Sequence, residues 1–210
     1  MADLDLSTQG VPTTPAAGRV ISYPSSVTRR WTTRDEFGKV LTAPPITNAN
    51  TTDQVVSAAD NYLAGSALAI PPQLLQVGAI LRWVISMTKS GAGTAAPVWI
   101  VRFGTGGVVG DAARLTFTSP HLQTAVIDAG RVNIDCVVRS IGAAGVVSGV
   151  LTLNHNLQIT GLAVVPTPTV IVTSGGFDMT VANLFAGVSV NPGASGVWTH
   201  QVVHAELRGM

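Results

Sequence analysis

Along residues 81–89, LRWVISMTK, apolar and polar positions alternate: Leu81, Trp83, Ile85 and Met87 fall on one side, Arg82, Val84, Ser86 and Thr88 on the other. A period of two marks a strand with one face in a core. The same pattern predicts strands at VWIVRF (98–103), ARLTFT (113–118), RVNIDCVVRS (131–140), VSGVLTLNH (147–155), TVIVTS (169–174), NLFAGVSVN (183–191) and VWTHQVVHAEL (197–207). With SALAIP near Ser66, about nine strands emerge. The breaks between them, GTGGVVGDA, SPHLQTAVIDAG, IGAAG, TSGGFD and PGASG, are rich in turn-forming residues. Helical periodicity is almost absent, so the chain reads as all-β. Strands at this spacing, with large aliphatic inward positions, indicate a two-sheet β-sandwich over residues 61–210, a jelly-roll-like arrangement being preferred. The pattern carries no information on pairing order.

Residues 1–45 differ in kind. They are polar and arginine-bearing, with Pro12, Pro15, Pro24, Pro44 and Pro45. GRVISYP and VTRRWTT suit short strands, and RDEFGKV suits a tight turn into a third, with Gly38 free to take a positive φ. Three such strands cannot offset their chain entropy alone, so this β-hairpin-type segment needs a surface to pack on. Residues 46–60, ITNANTTDQVVSAAD, read as a linker, with Thr52 or Asp53 as a cap for one short helical turn.

Composition adds a constraint. Hydrophobic residues make up 46% of the chain and charged residues 11%, against a usual charged share of roughly 25%. A chain with so little surface charge stays soluble by covering surface against other copies or a larger assembly, so an oligomer is expected. The net charge is +1, with ten Arg and only Lys39 and Lys89, and no basic stripe points to nucleic acid. Apolar runs such as LAVVP near Leu162 fall far short of the roughly 20 residues of a spanning helix. The start, MADLDLSTQG, lacks a secretory pattern, which implies synthesis in a cytoplasm.

Constellations for chemistry are thin. There is no GxSxG elbow, no phosphate-binding Gly-rich loop ending in Lys-Ser/Thr, and no CxxC pair. GTGGVVG at 104–110 lies between two strands and reads as a hairpin loop. Cys136, on the side of Val132, Ile134 and Val138, reads as a buried inert thiol. His200 and His204 would share a strand face roughly 13 Å apart, too far for one metal ion. Their face, with Trp198, Val202 and Glu206, reads as exposed or intersubunit. His121 and His155 stand beside turn residues without a carboxylate partner in sequence, and Asp111, Asp128, Asp135 and Asp178 form no recognisable acid pair. No enzyme activity, cofactor or metal is expected. Sugar binding is the chemistry with some support: loops 174–180 and 191–196 offer Phe177, Asp178 and Asn191 as receptor contacts, and Trp99 and Trp198 could join them if turned outward.

The segment TPAAGRVISYP, followed by a second strand and RDEFGKVLTAP, resembles a short N-terminal module of tailed-bacteriophage structural proteins. Thr14, Pro15, Ala16, Ala17, Gly18, Val20, Ile21 and Tyr23 match its first part, and Asp35 with Gly38 its second. The remainder is similar to phage virion proteins of this length, described variously as tail fibres or head-decorating proteins. The resemblance implies a homotrimer made in the bacterial cytoplasm and located on the virion. Its N-terminal piece would dock on capsid or tail proteins while a β-sandwich projects outwards. The cluster RRWTTRDEFGK then becomes the docking surface, with Arg29, Arg30, Trp31, Arg34 and Asp35 as its contacts. RRWTTR is more basic and bulkier than the usual module, which suggests a partner particular to this virus. The alternative is a receptor- or glycan-binding, lectin-like tip that mediates host adsorption; a depolymerase is a third option.

Overall fold

The computed structural model describes residues 45–70, 75–119, 122–165 and 167–209, together with the backbone of 21–25, 30–34 and 40–41. It divides into two compact units, Met1–Pro44 and Pro45–Met210. In the first, strands β1 (Ile21–Ser25), β2 (Arg30–Arg34) and β3 (Val40–Leu41) form an antiparallel sheet in chain order. Ile21 pairs with Arg34, Pro24 with Trp31, and Thr33 with Leu41.

The second unit is a β-sandwich of two antiparallel sheets. Its strands are β4 (Ile46–Asn50), β5 (Gln54–Val56), β6 (Asn61–Tyr62), β7 (Leu68–Ile70), β8 (Ile80–Lys89), β9 (Val98–Gly104), β10 (Ala112–Thr118), β11 (Asp128–Ser140), β12 (Val146–His155), β13 (Thr169–Thr173), β14 (Leu184–Asn191) and β15 (Trp198–Arg208). One sheet runs β13-β12-β11-β8-β15-β4, with β5 also on β15; the other runs β10-β9-β14-β6, with β7 also on β14. The chain changes sheet at β5 to β6, β7 to β8, β8 to β9, β10 to β11, β13 to β14 and β14 to β15, while the hairpin β9–β10 and the meander β11–β12–β13 each stay in one sheet.

Alternation along each strand sends every second side chain into the space between the sheets. Leu81, Trp83, Ile85 and Met87 of β8 and Val132, Ile134, Cys136 and Val138 of β11 meet Trp99, Val101 and Phe103 of β9 and Leu115 and Phe117 of β10, all buried. Trp99 and Trp198, one from each sheet, stack with centroids 5.2 Å apart at 34°. Gly149 sits where a Cβ would lie 2.7 Å from Cys136 Sγ and 3.0 Å from Phe117, so the missing side chain lets the sheets close. Burial raises the Cys136 thiol well above its ordinary pKa, in keeping with an inert core residue.

Two expectations are corrected. Residues 46–60 are not a linker: β4 and β5 add to β15, pairing Ala205 with Asn48 and Thr199 with Val55. An edge strand facing water carries few apolar residues, so ITNAN shows little period-two signal. Thr52 N donates to Asn50 Oδ1 at 3.2 Å, giving a side-chain-closed turn between the strands in place of a helical cap. Nor do Trp198, His200, Val202, His204 and Glu206 share one exposed face. A register shift between His200 and Val202 inserts Gln201 as a bulge, so Trp198 and His200 point inward before it and Val203, Ala205 and Leu207 after it.

Candidate functional site

At the end of the sandwich where β8 finishes and β11 begins, the loops at 90–97, 122–127, 156–165 and 192–197 come together. Gln123 ties three of them. Its side-chain amide donates to Ala95 O at 2.9 Å and Pro192 O at 2.7 Å, and its carbonyl accepts from Trp198 Nε1 at 3.1 Å. That uses the amide's donors and its acceptor, which makes Gln123 a buried peg. The loop beyond it is laced to 156–165: Thr124 N donates to Gly161 O at 2.9 Å, Val164 N to Leu122 O at 3.1 Å, and Gly161 N to the Thr124 hydroxyl.

A buried histidine–aspartate contact supports this lacing from below. Asp128 Oδ2 accepts from His155 Nδ1 at 2.7 Å and from Leu162 N at 3.1 Å, while Oδ1 accepts from Ala129 N at 2.9 Å. His155 Nε2 lies 2.7 Å from Val165 O, so a carboxylate and a carbonyl flank the ring. The pair thereby grips the 156–165 loop at Leu162 and Val165. Lys89 continues the inward face of β8 and is buried opposite Asp128. Its ammonium donates to Gly91 O. Burial lowers its pKa below the usual lysine value, opposed by the charge of Asp128.

What this scaffold presents to solvent is apolar. Leu122, Val126 and Ile127 on one loop and Leu157, Ile159 and Val164 on the other are exposed, Ile127 by 67% and Ile159 by 65%. Neither 122–127 nor 156–165 contains an Asp, Glu, Lys or Arg. Single exposed aliphatics are ordinary, but here several gather on two interlocked loops and form an apolar patch. Its hydrogen-bonded base holds both loops in place.

The residues singled out in the sequence lie elsewhere. Phe177 is buried against Phe103, with centroids 4.9 Å apart, and under the Arg114 guanidinium at 4.7 Å; its backbone bridges to Gly145. It is not a free ring for a sugar. Trp99 and Trp198 are likewise turned inward. Asp178 is exposed, but its carboxylate accepts from Thr180 N at 2.8 Å and Thr180 Oγ1 at 2.6 Å, which lowers its pKa. Loop 174–180 stands at the end opposite the apolar loops, by Gly142 and Gly145. Asn191 closes the turn of 192–197 by accepting from Gly193 N at 2.9 Å, so only this predicted contact reaches the apolar end. Arg29, Asp35 and His121 lie outside the described residues; Arg30, Trp31 and Arg34 are on β2. Asp111 accepts from Gly106 N and Val108 N and closes the β9–β10 hairpin loop, and Asp135 pairs with Arg82 at 2.6 Å. Among the described residues no three of His, Cys, Asp and Glu gather as a metal site. No helix among them is long and apolar enough to cross a membrane.

The sequence reading missed the apolar loops, although SPHLQTAVIDAG and NLQITGLAVVP carry the signal: several aliphatics in segments that turn chemistry assigns to loops. The Asp128–His155 contact spans 27 positions and left no local trace.

No protein-family model matches the chain, and no curated protein matches it. Among solved structures it is similar to a protein of unknown function from Shewanella oneidensis MR-1, with TM-score 0.37 and 10% identity over 99% of this chain and 95% of that one. It is also similar to the CBM2 module of the evolved Dit of Lactobacillus casei BL23 phage J-1, with TM-score 0.30 and 13% identity over 97% of this chain and 93% of that one. At such low scores neither neighbour assigns a function to this chain.

Proposed function

We propose that the chain is a non-enzymatic structural protein of a tailed-phage virion, a head decoration, head fibre or short tail fibre. In this reading it self-assembles, as a trimer by resemblance, and docks through Met1–Pro44. The sandwich presents its apolar loop end to another protein surface. The observation that carries a binding role is that end: exposed Leu122, Ile127, Leu157 and Ile159 on loops held by Gln123 and the buried Asp128–His155 pair. The low charge content and the TPAAGRVISYP resemblance supply the setting. The lectin-like alternative loses its aromatic platforms, because Phe177, Trp99 and Trp198 are core residues.

The double substitution Ile127→Ser with Ile159→Ser tests the role of this end. Both side chains are exposed, so the folding free energy should change by less than about 1 kcal/mol. Phage particles carrying the variant should show reduced occupancy of the protein or reduced adsorption to host cells. Unaltered occupancy and unaltered adsorption would contradict the assignment.

A further inference from the structure

The two sheets end in edges of different kinds. Edge strands are a hazard, since their free N–H and C=O groups template pairing, and proteins blunt them with charge, bulges or interruptions. β10 carries Arg114 and a register shift between Ala113 and Leu115. β4 is polar and separated from β5 by a turn. β13 has none of these protections. Its sequence TVIVT has no charge and no proline, and it pairs with β12 without a register shift.

Ladder geometry shows which groups are free. Leu153 N donates to Pro168 O at 3.1 Å and Ser174 N to Val147 O at 2.9 Å. Antiparallel alternation then turns the backbone of Val170 and Val172 towards β12 and that of Thr169, Ile171 and Thr173 towards the open edge. The side chains of those same three residues are exposed, Ile171 by 71%.

TVIVT also reads the same in both directions about Ile171. An antiparallel strand of a second copy, centred on Ile171, would set Ile171 against Ile171, Val170 against Val172, and Thr169 against Thr173. On the outer face Val150 already pairs with Ile171, so the row becomes Val150, Ile171, Ile171, Val150 across the junction. The flanking row joins the Ser148–Thr173 contact, 2.9 Å between hydroxyls, to Thr169 and Thr152 of the other copy. Like meets like in every row, the arrangement that favours cross-strand pairs.

We propose that two copies join edge to edge through β13, antiparallel about a two-fold axis at Ile171, to make one continuous sheet. This deepens the self-assembly proposed above and rests on it only for the expectation that copies meet. A two-fold contact cannot close a trimer; where a three-fold contact also exists, it links two trimers.

Sedimentation of the full chain across a concentration series tests it, with circular dichroism as the fold control. Ile171→Lys should move the association midpoint to at least about tenfold higher concentration. A hydrogen-bonded pair places the two Cα atoms about 5.5 Å apart, within disulfide range. Mild oxidation of Ile171→Cys should therefore give a covalent dimer, with the buried Cys136 not competing. A monomeric wild-type chain, an association unmoved by Ile171→Lys, or an Ile171→Cys variant that associates without cross-linking overturns the proposal. Particle incorporation that survives Ile171→Lys leaves the virion role standing, whereas an intact β13 contact in a protein absent from particles leaves only the pairing.

Discussion

At the scale of single residues, His200 is an imidazole held inside the sandwich. It is buried beside Trp198, with centroids 6.2 Å apart, and the Gln54 backbone near its ring makes no well-formed hydrogen bond to either nitrogen. Burial pushes its pKa down to about 4, only partly opposed by the Gln54 backbone. The unfolded chain therefore binds this proton at a higher pH than the folded one. The stability tied to neutral His200 is complete above the ordinary value near 6.5 and is lost as pH falls from there towards 4. The loss should amount to about 3 kcal/mol. Denaturant titrations between those pH values should show the decline in wild type and a flatter profile in His200→Leu; equal slopes in the two proteins would show that another group carries it. The inward turn of His200 was not legible in the sequence, because a bulge at Gln201 reverses the alternation on which such readings depend.

At the scale of elements, period two located strands wherever one face is buried. The apolar faces of β8, β9, β11 and β12 are visible in LRWVISMTK, VWIVRF, RVNIDCVVRS and VSGVLTLNH, and the structure follows them. β4, β5 and β6 escaped because they are short edge pieces whose pairing with β15 and β14 is a tertiary event. The loop end escaped for a related reason, since its order comes from Gln123 and Asp128 reaching across sequence-distant segments. Gly161 is central to that order. Its φ is +73°, and a Cβ there would lie 2.3 Å from Asp128 Cβ, which leaves an alanine no place on either count. Gly161→Ala should destabilise the fold by about 1–3 kcal/mol, and amide exchange should quicken first across 156–165. Wild-type exchange rates in that loop would contradict its dependence on the Asp128–Gly161 contact.

At the scale of the whole molecule, the chain combines a small sheet with few means of stabilising itself and a sandwich with a continuous core. The two units divide at Pro44 and Pro45, whereas the sequence pattern placed the start of the sandwich at residue 61, because the polar stretch ITNANTTDQVVSAAD carries no buried-face alternation. Among the described residues the buried core runs from Val56 to Leu207 as one cluster, so removing Met1–Pro44 should leave a cooperatively folding sandwich. The proposed role makes the opposite prediction for assembly, because docking is assigned to the segment removed. The direct measurement is the amount of protein on purified phage particles when the full chain is replaced by Pro45–Met210. The proposed function predicts a folded, soluble fragment that is absent from the particles. A fragment recovered on particles at full occupancy would contradict docking through the N-terminal unit.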